Sequence, residues 1–227
     1  MFLTSDNKLK TKWLIWGGVI TTILVVLGII WFDKPLYIFM RHFDDPIWRT
    51  FDYIFDAKMW LVLTGVLLLI VFVKKSVNSG IKYKNIKNRF SILSVAKDFM
   101  GKVRTNYAFL IFSSVLSAGI IANILKVVIG RFRPIFFEAL DITGFRPFSF
   151  EWAFNSMPSG HTAATFAGLV MAGMLAPKIK PITWTLAIIV GASRVAYGAH
   201  WPTDIILGAF IGMVAADVIK WLAFRRK

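Results

Sequence analysis

Three short clusters in this chain hold residue types that together can handle a phosphate. The first is Lys126, followed seven residues later by Arg133 and then Pro134. The second is Pro158-Ser159-Gly160-His161, and the third runs from Ser193 and Arg194 through His200 to Asp204. Lysine and arginine supply positive charge and hydrogen-bond donors for an anion. Histidine takes or gives a proton near neutral pH, and a carboxylate four residues after His200 can hold one ring nitrogen and fix the tautomer. Ser159 is a favourable N-cap, and backbone N–H groups at a helix start, helped by the helix dipole, bind phosphate well. Lys126 and Arg133 lie about two helical turns apart, so they point the same way on a helix that persists through both.

Each cluster alone also has a plainer reading. Lys126 suits a lysine snorkelling to an interface, PSGH a simple helix start, and His200 with Asp204 a local capping pair. What joins the three is their position, because each sits at the end of a long apolar run. Charge at a membrane boundary is costly and marks function.

The elements that must carry these clusters are membrane spans. The 227 residues are 57% hydrophobic, much of it in uninterrupted runs, and a helix needs about 20 apolar residues to cross the hydrocarbon. The expected fold is all-α: a polytopic membrane protein with six transmembrane helices and one interfacial amphipathic helix. The spans fall at about 13–32, 59–73, 107–129, 162–176, 182–195 and 205–223. The first is a retained span rather than a cleaved signal, since no small-x-small pattern follows it. Between the first two, residues 43–57 alternate Asp45, Arg49, Asp52 and Asp56 with Ile47, Trp48, Phe51 and Phe55 at helical spacing. That pattern fits a helix lying in the interface, placed to shape a lateral entrance for lipid, or a helix packed on the bundle. One domain covers 1–227, with a signature-bearing core at about 107–223. No cysteine is present, so disulfides and thiolate metal sites are excluded.

Six spans put both termini on one side of the membrane. That side, with residues 1–12, 74–106, 177–181 and 220–227, holds 18 of the 27 basic residues. Positive charge marks the cytoplasmic face, so the termini are expected inside and the three clusters outside. The net charge of +15 is then mainly a topology signal with some attraction to anionic lipid, and nucleic acid is not expected as a partner. Oligomeric state is left open.

The pattern KxxxxxxRP at 126–134, PSGH at 158–161 and SRxxxxxHxxxD at 193–204 resembles the three-part signature of the type 2 phosphatidic acid phosphatase superfamily. Every signature position matches, over about 110–223. The superfamily also includes soluble vanadate haloperoxidases; six spans favour its membrane lipid phosphatase branch. The resemblance implies a catalytic set of His200 as nucleophile, Asp204 orienting it, and His161 as general acid and then base. It implies that Lys126, Arg133 and Arg194 hold phosphate oxygens, with Ser159 and Gly160 adding hydrogen bonds, and that no metal or other cofactor is needed. The substrates it allows are undecaprenyl diphosphate, phosphatidylglycerophosphate, phosphatidic acid and the 1-phosphate of lipid A. The loop at 137–161 looks somewhat like that of lipid A 1-phosphatases. The positive-inside bias and the compact size suit the outer face of a bacterial inner membrane as the setting. Two other classes remain open: an anion or lipid transporter, and a non-catalytic lipid-binding membrane protein. A transporter would place its charge near the midplane in broken helices, and lipid binding alone does not require the His200, His161 and Asp204 set.

Overall fold

The computed structural model describes residues 1–4, 6–55, 57–78 and 105–225. Helices follow one another as α1 (Thr11–Trp31), α2 (Asp33–Arg41), α3 (Pro46–Ile54), α4 (Ala57–Asn78), α5 (Tyr107–Ile129), α6 (Pro134–Leu140), α7 (Gly160–Leu175), α8 (Lys180–Ala196) and α9 (Pro202–Phe224). Short 3-10 turns cover Trp152–Phe154 and Pro177–Ile179. The expected basic loop at 74–106 lies mostly outside the described residues.

Among the described residues four helices are long and apolar enough to cross a membrane: Thr11–Trp31, Tyr107–Ile129, Pro177–Ala196 and Pro202–Phe224. The expected spans at 59–73 and 162–176 fall on shorter apolar stretches, Lys58–Val71 and Gly160–Leu175. At 16 residues, α7 is about 24 Å long, less than the hydrocarbon thickness. It can be short because its neighbours enclose it: every residue from Thr162 to Met171 is buried. By contrast, α1 faces outward, with Trp13, Trp16 and Trp31 exposed at 69%, 63% and 70%. Tryptophans at both ends of an apolar helix suit the two interfaces of a bilayer.

One part of the core is a seam of small residues where α5, α7 and α9 meet; a second, with Leu110, Phe166, Leu169 and Met171, is built of larger side chains. Ala118 and Ala122 of α5, Ala163 and Ala167 of α7, and Ile211 and Ala215 of α9 pack in the seam. Small side chains let helix backbones approach closely, and that packing holds helices together inside a bilayer. Gly212 marks the tightest part: a Cβ there would collide with the Ala163 carbonyl oxygen and come 2.7 Å from Phe166 Cβ. Gly212→Val is therefore expected to push α9 off α7 and cost roughly 1–3 kcal/mol. A thermal melt in detergent reads this as a clear drop in midpoint, and an unchanged midpoint contradicts the seam.

Residues 33–57 differ from expectation. They hold two short helices parted by a turn at His42–Asp45: α2, which lies before the segment read as amphipathic at 43–57, and α3, the one helix inside that segment, shorter than expected at Pro46–Ile54. Pro46 cannot continue a preceding helix and suits the start of the next. Trp48 Nε1 donates to the Phe43 carbonyl at 2.6 Å, and Phe55 packs against the apolar cluster of α7 and α8. Asp56 lies outside the described residues. The third span ends as expected at Ile129, but the helix does not persist to Arg133. Gly130 takes a left-handed φ of 63°, with its N–H returning to the Lys126 carbonyl; a glycine in this conformation is a common helix stop. A Cβ at that position would strike the Arg146 carbonyl.

Candidate active site

The ends of α5, α7, α8 and α9 that carry the three clusters meet at one end of the bundle. Lys126 leaves the last turn of α5, and its Nζ donates to the carbonyls of Asn155 at 2.7 Å and Ser156 at 3.3 Å. After Gly130 the chain pairs with the loop at 144–146. Phe132 N–H reaches the Gly144 carbonyl at 2.9 Å, and Arg146 N–H reaches the Gly130 carbonyl at 2.6 Å. That pairing, rather than a continuing helix, brings Arg133 back beside Lys126. The Arg133 guanidinium donates to the carbonyls of Trp152, Ala199 and Asn155 at 3.0, 3.0 and 3.3 Å. It also stacks over the Trp152 ring at 4.1 Å. Its place is therefore set before any ligand arrives.

The PSGH cluster begins α7. Ser159 is the N-cap, its Oγ accepting from Thr162 N at 3.4 Å and Thr162 Oγ1 at 2.9 Å, and its own N–H donates to the Asp204 carbonyl at 3.0 Å. Its side chain is fully buried and stands behind the cavity wall. Gly160 and His161 do face the cavity. A Cβ at Gly160 would lie 3.6 Å from Lys126 Cε, so the bare glycine keeps backbone open toward the lysine.

The third cluster joins the end of α8 to the start of α9. Arg194 is buried in the last turn of α8, its guanidinium 5.7 Å from the Tyr197 ring. His200 follows in the connecting turn, 2% exposed, and its Nδ1 is 3.4 Å from Asp204 Oδ2. That distance is close enough for a small ring rotation to form a hydrogen bond, although Nδ1 makes none as placed. A carboxylate beside Nδ1 favours a proton there and leaves the Nε2 lone pair available. Asp204 serves as a cap as well, since its Oδ2 accepts from Trp201 N–H at 2.9 Å. The local-capping alternative and the histidine-orienting one are thus compatible.

Lys126, Arg133, Gly160, His161, Arg194 and His200 line one cavity of about 780 Å³. Leu61 of α4 and Leu116, Gly119 and Ile120 of α5 add apolar lining to the same cavity, and Lys58 of α4 lines it as well. Trp48 and Phe55, expected at a lipid entrance, do not line it; α4 supplies that side. Asp204 and Ser159 support the lining residues from behind. Burial pushes His200 well below its ordinary value of 6.5; Asp204 opposes this, while Lys126 and Arg133 add to it. Burial also lowers Arg133 to about 10, which leaves it cationic at neutral pH. The site therefore pairs a His200 ring that burial keeps from protonating with a cationic Arg133. Among the described residues no group of three or more His, Cys, Asp or Glu side chains converges as metal ligands.

Sequence reasoning missed part of the buried support. Arg131 Nη1 donates to Asp204 Oδ1 at 2.7 Å, Nη2 to Asp33 Oδ2 at 2.6 Å, and the Ser156 hydroxyl donates to Asp204 Oδ2. Arg131 sits inside the KxxxxxxRP stretch and Asp33 borders the first apolar run. A charge at such a border was the available signal.

The sequence profile of the PAP2 superfamily matches residues 107–227. A lipid A 1-phosphatase of Rhizobium johnstonii is 32% identical over 199 residues, covering 85% of this chain and 74% of that protein. An undecaprenyl-diphosphatase of Sulfolobus acidocaldarius is 27% identical over 73% of this chain and 87% of its own. A shorter match joins phosphatidylglycerophosphatase B of Escherichia coli, 36% identical over 31% of this chain and 30% of that one.

Proposed function

The chain belongs to the PAP2 superfamily and is a membrane lipid phosphatase, and from that premise we propose that it removes phosphate from a lipid at the outer face of a bacterial inner membrane through a phosphohistidine at His200. The observation that supports this best is the meeting of Lys126, Arg133, Arg194, His161 and His200 around one cavity that also has apolar lining. In the proposed reaction, His200 Nε2 attacks phosphorus while the three cations hold the non-bridging oxygens. The N–P bond forms as the P–O bond to the lipid breaks, and His161 gives a proton to the leaving oxygen. His161 then takes a proton from water, whose oxygen attacks phosphorus, releasing phosphate and restoring neutral His200. Preorganised cations stabilise the charge that develops at each step.

Lipid A 1-phosphate is placed first among the substrates, because the relative matched over 85% of the chain bears that name. Undecaprenyl diphosphate, phosphatidylglycerophosphate and phosphatidic acid follow. Inorganic phosphate release from each purified lipid tests the reading. Activity is expected to persist in EDTA, to be blocked by vanadate, and to be highest on lipid A 1-phosphate. Because burial depresses His200, its reactive neutral form should last to below pH 6.5. The acid limb of the rate profile, where His200 takes up a proton, should then lie below pH 6.5. Stability has the same sign: the unfolded chain binds the proton first, so acid below about pH 6.5 favours unfolding. No phosphate from any lipid, or full loss in EDTA restored by magnesium, contradicts the reading.

The sidedness is tested with single cysteines, since the native chain has none. A cysteine at Thr143, in the loop beside the site, should react with an impermeant maleimide in intact spheroplasts. One at Asn78, at the end of α4, should react only after lysis. The reverse pattern puts the chemistry in the cytoplasm.

A further inference from the structure

The connection between Asp33 and the reaction centre crosses most of the sequence. Asp33, the first residue of α2, is 2% exposed. Its Oδ1 accepts from Thr203 N–H at 2.9 Å, and its Oδ2 accepts from Thr203 Oγ1 at 2.6 Å and Arg131 Nη2 at 2.6 Å. Arg131 Nη1 closes the ring by donating to Thr203 Oγ1 at 2.7 Å and continues to Asp204 Oδ1 at 2.7 Å. The arginine head also lies 5.3 Å from the Trp201 ring and 5.9 Å from the Phe145 ring. Neither Asp33 nor Arg131 lines the cavity.

A buried ionic group of this kind is weak evidence for stability, since desolvating its charges costs as much as their attraction returns. Its geometry points elsewhere. The planar fork of one guanidinium holds a carboxylate from each of two distant segments, and one of them is the carboxylate beside His200. Asp33 also satisfies a backbone N–H in the first turn of α9, so it fixes the same turn that presents Asp204.

We propose that Asp33 and Arg131 form a positioning clamp for the Asp204–His200 pair, in which Arg131 fixes the orientation of Asp204 and Asp33 offsets the charge of Arg131. This rests on the reading of His200 as nucleophile. With Arg131 alone, Asp204 would give up much of its negative potential to the guanidinium. With Asp33 present that charge is shared, and Asp204 can stabilise the positive charge that grows on His200 as Nε2 bonds phosphorus. Among the described residues the other charged or titratable groups lining the cavity with His200 are Lys58 on α4, Lys126 on α5, Arg133 before α6, His161 on α7, Arg194 on α8 and Tyr197 just after it; the clamp acts from behind, through Asp204 at the start of α9.

The two partners then have opposite electrostatic effects on His200, which misfolding cannot imitate. Asp33→Asn removes negative charge and should move the His200 titration to lower pH, by about half a unit; Arg131→Gln removes positive charge and should move it to higher pH by a similar amount. Both should lower kcat on short-chain phosphatidic acid about ten- to hundredfold, by analogy with the hydrogen-bonding partners of metal ligands, and leave KM near that of the native protein. Asp217→Asn is the control: this buried carboxylate binds Phe2 N–H at 2.7 Å, at the far end of α9. It should lower the melting temperature without moving either profile.

The test follows His200 directly by side-chain nitrogen NMR of the full-length protein in detergent. The chain has only three histidines, and a His200→Gln sample assigns the signal. Opposite shifts with a fall in kcat support the clamp. An unmoved titration in Asp33→Asn overturns it, whatever happens to kcat, and Asp33→Asn decides alone if Arg131→Gln does not fold. If the native protein releases no phosphate yet the titration moves as expected, the phosphatase mechanism falls and the clamp stands.

Discussion

His200→Ala should lower phosphate release by at least about a thousandfold while the protein still folds and inserts, since losing a nucleophile that works as part of a unit removes nearly all of that unit's effect. The ring is 2% exposed and its Nδ1 has no hydrogen-bond partner as placed, so its loss leaves a small hole and no stranded donor. A modest loss of stability is expected. The cations proposed to hold the phosphate keep their own anchors: Lys126 on Asn155 and Ser156, Arg133 on Trp152 and Ala199. Phosphate release and a melt on the same sample separate the two effects. Turnover above a few per cent of native, with the fold intact, removes His200 from the nucleophile's role.

Asp204→Asn should be the next most damaging change, lowering kcat roughly a hundred- to ten-thousandfold by analogy with the aspartate of a serine protease triad. The native carboxylate accepts from Arg131 Nη1, Trp201 N–H and the Ser156 hydroxyl, and lies 3.4 Å from His200 Nδ1. An amide has only one accepting oxygen, so its NH2 must face one of these donors. If it faces His200, the wrong nitrogen is left protonated. If it faces Arg131, two donors meet in a buried site, which costs stability as well. The loss should fall on kcat more than on KM, because Asp204 stands behind His200 and does not line the cavity. A change confined to KM contradicts this account.

Several of these features were legible in the sequence for definite physical reasons. Long apolar runs located α1, α5, α8 and α9, and Ser159 fulfils the capping role that its place before an apolar run suggested. Lys126, Gly160, His161, Arg194 and His200 reach one cavity, as a common helix-end location implied. The route by which Arg133 joins them was not legible. Its seven-residue spacing from Lys126 reads as two helical turns, whereas Gly130 ends the helix and a pairing with Gly144 and Arg146 turns the chain back. That pairing depends on loop contacts with no periodic signature. Asp33 stood out only as a charge at the border of an apolar run; what it binds was not legible, since its partners Arg131 and Thr203 lie 98 and 170 residues away. The amphipathic pattern at 43–57 was read as one helix, and the helix there, α3, is shorter, because Pro46 sets its start; Trp48 and Phe55, read as shaping a lateral lipid entrance, do not line the cavity.

The most direct test of the central claim is to catch the intermediate. Purified protein mixed with a lipid phosphate labelled at phosphorus, and quenched in alkali within a turnover, should carry label that survives base and is released by acid. Peptide mapping should place that label at His200, and His200→Ala protein should carry none. Label at another residue, or steady turnover with no labelled protein at any quench time and no burst of lipid product, would contradict the account.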